Sequence, residues 1–183
     1  KGFQATTIQD IAKKAGVNVS LVSYHFKGKA GLFRACVEKA ATLRLETAQN
    51  ILIKPKNIEE FQARLEMFTD EMLTYHVEHP DVCTILHRDM HSEMQHIGDI
   101  FERTLLKAFE TFVKFIADAR DSGIIAPWVD PLITSGSFHG ALFSMGKNQK
   151  KKKKYFQKNI ADPNHRREVR DHIVKITIEG IQP

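Results

Sequence analysis

The stretch that most constrains this chain is residues 6–32, TTIQDIAKKAGVNVSLVSYHFKGKAGL. Thr7 stands three residues before Asp10. At that spacing a hydroxyl accepts from a free backbone donor at a helix start while the acid reaches back. Ile8, Ile11, Ala12 and Ala15 then share one face at the helical period. Gly16 supplies a stop, because glycine enters the left-handed region at no steric cost. Asn18 caps a second short helix that runs through Leu21, Val22 and His25 to Phe26. Two short helices joined by a glycine turn form a helix-turn-helix, whose second member fits a DNA major groove. Taken alone the pattern is weak, since short helices meeting at a glycine occur throughout helical proteins.

The neighbouring residues narrow it. Lys1-Gly2-Phe3-Gln4-Ala5-Thr6-Thr7 leads in, and Tyr24-His25-Phe26-Lys27-Gly28-Lys29, followed by Gly31-Leu32-Phe33, leads out. The order GFxATT, IA-x-x-AGV, YHF-x-x-K-x-x-LF resembles the DNA-binding domain of TetR-family transcriptional regulators over roughly the first 40 residues. Gly28 departs from the family pattern, which usually has a Ser, Asp or Asn cap there; glycine is a weaker but acceptable cap. The resemblance implies a three-helix head whose first helix is largely missing from the given chain. It also implies a larger helical domain for effector binding and dimerisation, with the pocket among its central helices. The corresponding division is 1–45 for the head and 46–183 for the body.

The rest of the chain reads as all-α. Long windows carry the 3.6-residue period, few alternate with period two, and 42% hydrophobic residues suffice for a packed core. There is no run of 18 apolar residues and no signal-like start, so no membrane segment is expected. Cys36 and Cys83 both fall in apolar helical patterns, where a thiol acts as a small hydrophobe, and a reducing cytoplasm suits them. The net charge of +5 is uneven: residues 1–50 hold eight basic against three acidic residues, and the remainder balances at 19 against 19. Seven of the later positive charges are lysines between Lys147 and Lys158, without which the body is acidic, and a basic head on an acidic body suits a protein that offers one end to phosphate.

After the head, a helix is expected over 29–51, with Leu32, Phe33, Cys36, Val37 and Ala40 facing the head and Ala48 and Ile51 facing the body. Asn57 starts a helix carrying Phe61, Leu65, Phe68, Met72 and Tyr75, which ends at His79-Pro80. The next stretch places Cys83, His87, Met90, His91 and Met94 on one side. His87 and His91, with Cys83, Glu93 and His96, have metal-ligand chemistry, but neither CxxC nor HExxH is present, and no metal or cofactor is assigned. From Ile100 to about Ser122, Phe101, Leu105, Ala108, Phe112, Phe115 and Ala119 make one stripe, and Leu106, Phe109, Val113 and Ile116 make a second. A helix apolar on two sides is buried between neighbours, as plain core or as the wall of a ligand cavity. Phe68, Met72, His87, Met90, Phe109 and Phe112 are the candidates for a pocket that would take a largely apolar small molecule.

Gly136, Gly140 and Ser144 open a small-residue face on a helix starting at Pro131, and Ile173, Ile176 and Gly180 mark the last helix. These six are the candidate homodimer interface that the resemblance implies. Between them, seven lysines fall within residues 147–158, read either as a solvated run or as a second contact to an acidic surface. On the head, the resemblance puts Val19, Ser20, Leu21, Ser23 and Tyr24 toward the groove, and gives Tyr24, His25, Lys27, Lys29 and Thr7 to phosphates. Val22 and Phe26 are expected in the core, and His25 is either a packed histidine or a phosphate contact. The expected activity is therefore a non-enzymatic, TetR-like regulator binding a double-stranded DNA operator as a homodimer, a repressor released by a small-molecule effector. The competing expectations are a helical metal- or histidine-dependent enzyme, and a helical interaction protein that does not bind DNA.

Overall fold

A computed structural model describes residues 3, 5–91 and 97–182, with the side chains of 87–91 outside the description. Among these residues the chain is all-helical, as expected, with nine helices and no strand. The head begins with α1 (Ile8–Ala15) and α2 (Val19–Phe26). Helix α3 (Lys29–Ile51) leaves the head and runs alongside the body. The body continues with α4 (Ile58–Glu78), α5 (Pro80–His91) and a long α6. This α6 opens as Gly98–Ile100, passes through a π-helical stretch at Phe101–Leu106 and continues as Lys107–Asp121. Then come α7 (Pro131–Gly146), α8 (Gln149–Phe156) and α9 (Pro163–Glu179).

Helix starts in the body have local causes. The Asn57, Asp130 and Asp162 side chains accept from backbone donors of the first turns of α4, α7 and α9. Pro131 and Pro163 occupy first-turn positions, where a missing N–H is harmless.

The main core joins α4, α6, α7 and α9. Phe61 stacks on Phe115 at 4.9 Å, and Phe112 sits against Phe138 at 4.8 Å, all four buried. A second apolar cluster lies under α3: Val37, Ala40 and Ala41 pack with Leu86, Ile97 and Ile100. Val37 and Ala40 therefore turn toward the body and not the head, and Cys36 is exposed, contrary to the periodic reading of this helix. The cause is tertiary: α5 and the start of α6 close on α3 and claim the face that the period alone assigns to the head.

The π-helical stretch changes α6 as well. An extra residue per turn rotates the register, so Ile100 and Thr104 become the buried positions, while Phe101 and Leu105 are only half-buried. The buried Thr104 hydroxyl is satisfied by the Ile100 carbonyl. Of the second stripe expected on this helix, Ile116 is fully buried and Leu106, Phe109 and Val113 are half-buried.

The lysine run is not a loose strand of charge. Residues 149–156 are helical, and the Lys152 amine donates to the Ser144 and Met145 carbonyls at 2.5 and 3.0 Å. A cation on the last carbonyls of a helix complements its dipole, so this lysine caps α7 while its neighbours on α8 are largely exposed.

Candidate DNA interface and inner cavity

The head is built by capping. The Thr7 hydroxyl accepts from Asp10 N at 3.1 Å and the Asp10 carboxylate accepts from Thr7 N at 3.1 Å, closing a reciprocal box. Gly16 takes φ +68°, and Val17 N reaches back to the Ala12 carbonyl at 3.0 Å. Asn18 Oδ1 then accepts from both Ser20 N (2.9 Å) and Ser20 Oγ (2.6 Å), starting α2. Ala12 and Val22 are the buried contacts of the pair.

At the far end of α2, Lys27 (φ +53°) and Gly28 (φ +100°, ψ −171°) turn the chain into α3. The Gly28 conformation belongs to glycine alone. This explains its departure from a capping Ser or Asp: a Cβ would be strained here. Gly31 has a different reason, because a Cβ there would collide with the Phe26 carbonyl oxygen. Phe26 itself, on the last turn of α2, is 37% exposed and not core.

The outer face of α2 is open. Ser20, Leu21, Ser23, Tyr24 and His25 are exposed, with Leu21 at 52% and Tyr24 at 82%, while Val19 is half-buried. His25 is thus no packed core histidine; its ring meets Tyr24 edge-on at 5.2 Å. Lys27 is exposed beside them, and Lys13 and Lys14, absent from the sequence-based set, stand exposed on the last turn of α1. Lys29 differs from the expectation for it. Its amine donates to the Phe3 carbonyl at 2.7 Å and lies 4.3 Å over the Phe3 ring, so it ties the N-terminal segment to α3. Phe3 in turn meets Phe33 at 4.9 Å.

Within the body, α3, α4, α5, α6 and α7 line a partly open cavity of about 360 Å³. Phe68, Met72 and Phe109 line it as expected. Phe112 does not: it is fully buried behind His139, 4.8 Å between ring centres, and serves as the wall behind the lining. His87 and Met90 lie outside the described side chains, as do His91, Glu93 and His96 of the metal reading. Their remaining partner, Cys83, is buried and accepts from the Arg44 guanidinium at 3.4 Å. Burial pushes its thiol pKa up, with the Arg44 charge working against that.

Three polar lining residues escaped the sequence reading: Arg44, His76 and His139. His76 Nδ1 donates to the Met72 carbonyl (2.7 Å) and His139 Nδ1 to the Ser135 carbonyl (2.9 Å), which fixes the proton on Nδ1 of each ring. Burial holds both imidazoles below their ordinary pKa; the carbonyl bonds oppose this and the Arg44 charge adds to it. Arg44 lies 5.1 Å over the Tyr75 ring.

The π-helical stretch supplies Phe101, Leu105 and Leu106 to the cavity. The same stretch reaches the head-proximal part of α3 through Arg103, which bonds Glu38 at 2.5 Å. One turn earlier Asp99 takes both nitrogens of Arg34 at 2.8 and 2.6 Å, and Arg34 holds its carboxyl down at about 2.

On the opposite side of α7, a groove of about 700 Å³ separates it from α9. Ile173, Ile176 and Gly180 line it, with Ile133 (69% exposed), Ile176 (59%) and Trp128 (70%) as its apolar rim. Ser137 and Ala141 are its small residues on α7. Gly136 instead faces the inner cavity, while Gly140 and Ser144 line neither. The 100° step between neighbouring helical positions accounts for the displacement.

A capped helix-turn-helix with an open second helix is carried on a helical body that holds a cavity, an architecture of the helix-turn-helix class. Residues 1–36 match the family model described as bacterial regulatory proteins, tetR family. The head is thus similar to the DNA-binding domain of that family. Over 110 residues the chain is 31% identical to YttP of Bacillus subtilis (strain 168), a probable HTH-type transcriptional regulator. The match covers 58% of this chain and spans about half of that relative, 51%. The fold agrees with that of the TetR-family transcriptional regulator PfmR from Thermus thermophilus: TM-score 0.76, 16% identity, 100% of this chain and 93% of that one. It also matches the ketosteroid transcriptional regulator KstR2 of Mycobacterium tuberculosis: TM-score 0.72, 17% identity, 100% and 88%.

Proposed function

We propose that the protein is a one-component transcriptional regulator: residues 1–45 bind a double-stranded DNA operator and residues 46–183 bind an effector and dimerise. The single observation that carries this is the unpartnered outer face of α2 on the basic head. Ser23 bonds base edges as donor or acceptor, Ser20, whose proton goes to Asn18, as an acceptor, and Leu21 and Val19 meet thymine methyls. Tyr24, His25 and Lys27 hold phosphates, with Lys13 and Lys14 as added cations and Thr7 through its helix start. Lys29 acts indirectly by fixing the N-terminal segment.

The apolar groove between α7 and α9 is the proposed homodimer face. Two heads in one dimer read a palindrome whose half-sites are whole helical turns apart. The effector occupies the inner cavity and displaces the π-helical stretch of α6. Because that stretch also packs and bonds against α3, the head spacing changes and the operator is released. This requires a ligand with different affinity for the two spacings. The reading is a repressor, non-enzymatic, with no metal or cofactor assigned. Among the described residues no helix is long and apolar enough to cross a membrane. Cytoplasmic residence belongs to the same reading and follows from the DNA target.

A gel shift with fragments flanking the protein's own gene tests the reading. Sequence-specific binding that weakens steeply as salt rises is the expected result. An absence of specific shift below about 200 mM salt overturns it.

A further inference from the structure

The inner cavity has an unbalanced charge. Among the described residues its lining contains the Arg44 guanidinium and no Asp or Glu. Arg44 Nε is buried with no hydrogen-bond partner among those residues, and the one bond given for the guanidinium runs to the thiol of Cys83 at 3.4 Å. Arg44 as a whole is half-buried, and a guanidinium that turns its Nε out of water without a carboxylate or several strong acceptors loses hydration that nothing replaces. The other polar lining groups, His76 and His139, each spend their Nδ1 proton on a backbone carbonyl, so they supply no negative charge. Around them the wall is hydrocarbon: Phe68, Met72, Leu105 and Phe109 among others. At about 360 Å³ the space is within the range of small-molecule sites.

We propose that the cavity binds an amphiphile with one acidic head group, which pairs with Arg44, and a hydrocarbon body, which fills the phenylalanine- and leucine-lined remainder. The guanidinium presents donors in a planar fork that suits a carboxylate or a phosphate monoester. The anion supplies the counter-charge that the described lining lacks, and the tail gains from leaving water. The outer surface favours the same ligand. On the other side of His76 a second groove is lined by Lys147, Lys150 and Lys151, against one acid, Asp81, and it gives an anion a cationic approach. The proposal names the ligand class of the effector site and in that respect rests on the regulator reading.

The test is calorimetric titration of the full chain with ten-carbon probes that share a tail: decanoate, decyl phosphate, decanol and decyltrimethylammonium. At least one acidic probe is expected to bind tenfold or more tighter than decanol, with the ammonium weakest. Which acid wins separates a carboxylate from a phosphate ligand. Arg44→Gln is expected to erase the preference for the acid while leaving decanol binding in place. Phe109→Trp, which fills the cavity, is expected to weaken the acidic probe tenfold or more in a chain that keeps Arg44. The proposal fails if decanol matches both acids, if Arg44→Gln keeps the preference, or if Phe109→Trp leaves acid binding intact. The operator shift is measured separately without any probe. Its failure alone removes the regulator reading, and loss of the head-group preference alone removes this one.

Discussion

Phe112→Ala is the perturbation that best separates wall from lining. The Phe112 ring is fully buried and is packed by four rings, with centroid distances of 5.4 Å to Phe68, 6.2 Å to Phe115, 4.8 Å to Phe138 and 4.8 Å to His139. Losing its transfer from water costs about 2 kcal/mol. A residual void of about 80 Å³, at roughly 24 cal/mol per Å³, adds about 2 kcal/mol more. The expected loss is therefore about 4 kcal/mol. Phe109→Ala removes the same atoms, but Phe109 is half-buried and already borders the cavity, so little new void forms and about 1–2 kcal/mol is expected. Urea denaturation followed by circular dichroism, at one fixed protomer concentration because unfolding of a dimer is concentration-dependent, measures both. Equal losses for the two variants, or less than about 2 kcal/mol for Phe112→Ala, would refute the assignment of one ring to the wall and the other to the lining.

The apolar rim predicts that Ile133→Glu combined with Ile176→Glu converts the proposed dimer to a folded monomer in sedimentation velocity. Both side chains are largely exposed, so the isolated fold is expected to change by no more than about 0.5 kcal/mol per site; a persisting dimer would move the interface elsewhere. The two buried histidines predict a pH dependence. Their pKa is lowered in the folded chain, so below the unfolded value of about 6.5 the unfolded state binds more protons. Stability is therefore full above that value and falls as pH drops below about 6.5 toward the lowered folded-state values; the urea midpoint checks this, and His139→Asn is expected to flatten the slope.

Local chemistry made the head legible in the sequence. Thr7–Asp10, Gly16 and Asn18 act within three or four residues of themselves, so their spacing carries their geometry. The period of α4 was equally readable, with Phe61, Leu65, Phe68 and Met72 all buried. What stayed hidden depends on distant packing. The π-helical stretch rotates the stripe by one residue, and nothing in the stretch FERTLL, residues 101–106, announces it. Arg44, His76 and His139 lie on three different helices, and each breaks an apolar pattern only once, so a helical period treats them as noise. On α7 the glycines Gly136 and Gly140 pointed away from the groove that Ser137 and Ala141 line, because a glycine signals close approach without saying to what.

The link between cavity and head poses a choice between two sets of contacts, and magnitudes decide it. Arg34–Asp99 and Arg103–Glu38 join α3 to α6 visibly, but all four side chains are about two-fifths to one-half exposed. Such pairs are screened by salt and individually weak. The apolar contacts beneath them are not screened: Val37, Ala40 and Ala41 close on Leu86, Ile97 and Ile100 with almost no exposure. Burying one Leu- or Ile-sized side chain is worth about 1.5–3 kcal/mol, and this cluster contains three. In the proposed regulator the cluster is therefore the stronger link between α3 and α6, and the exposed ion pairs are the weaker one. An effector that moved Phe101 and Leu105, as proposed, would act on the same helical turn that seats Ile100, so the proposed coupling runs through packing before surface charge.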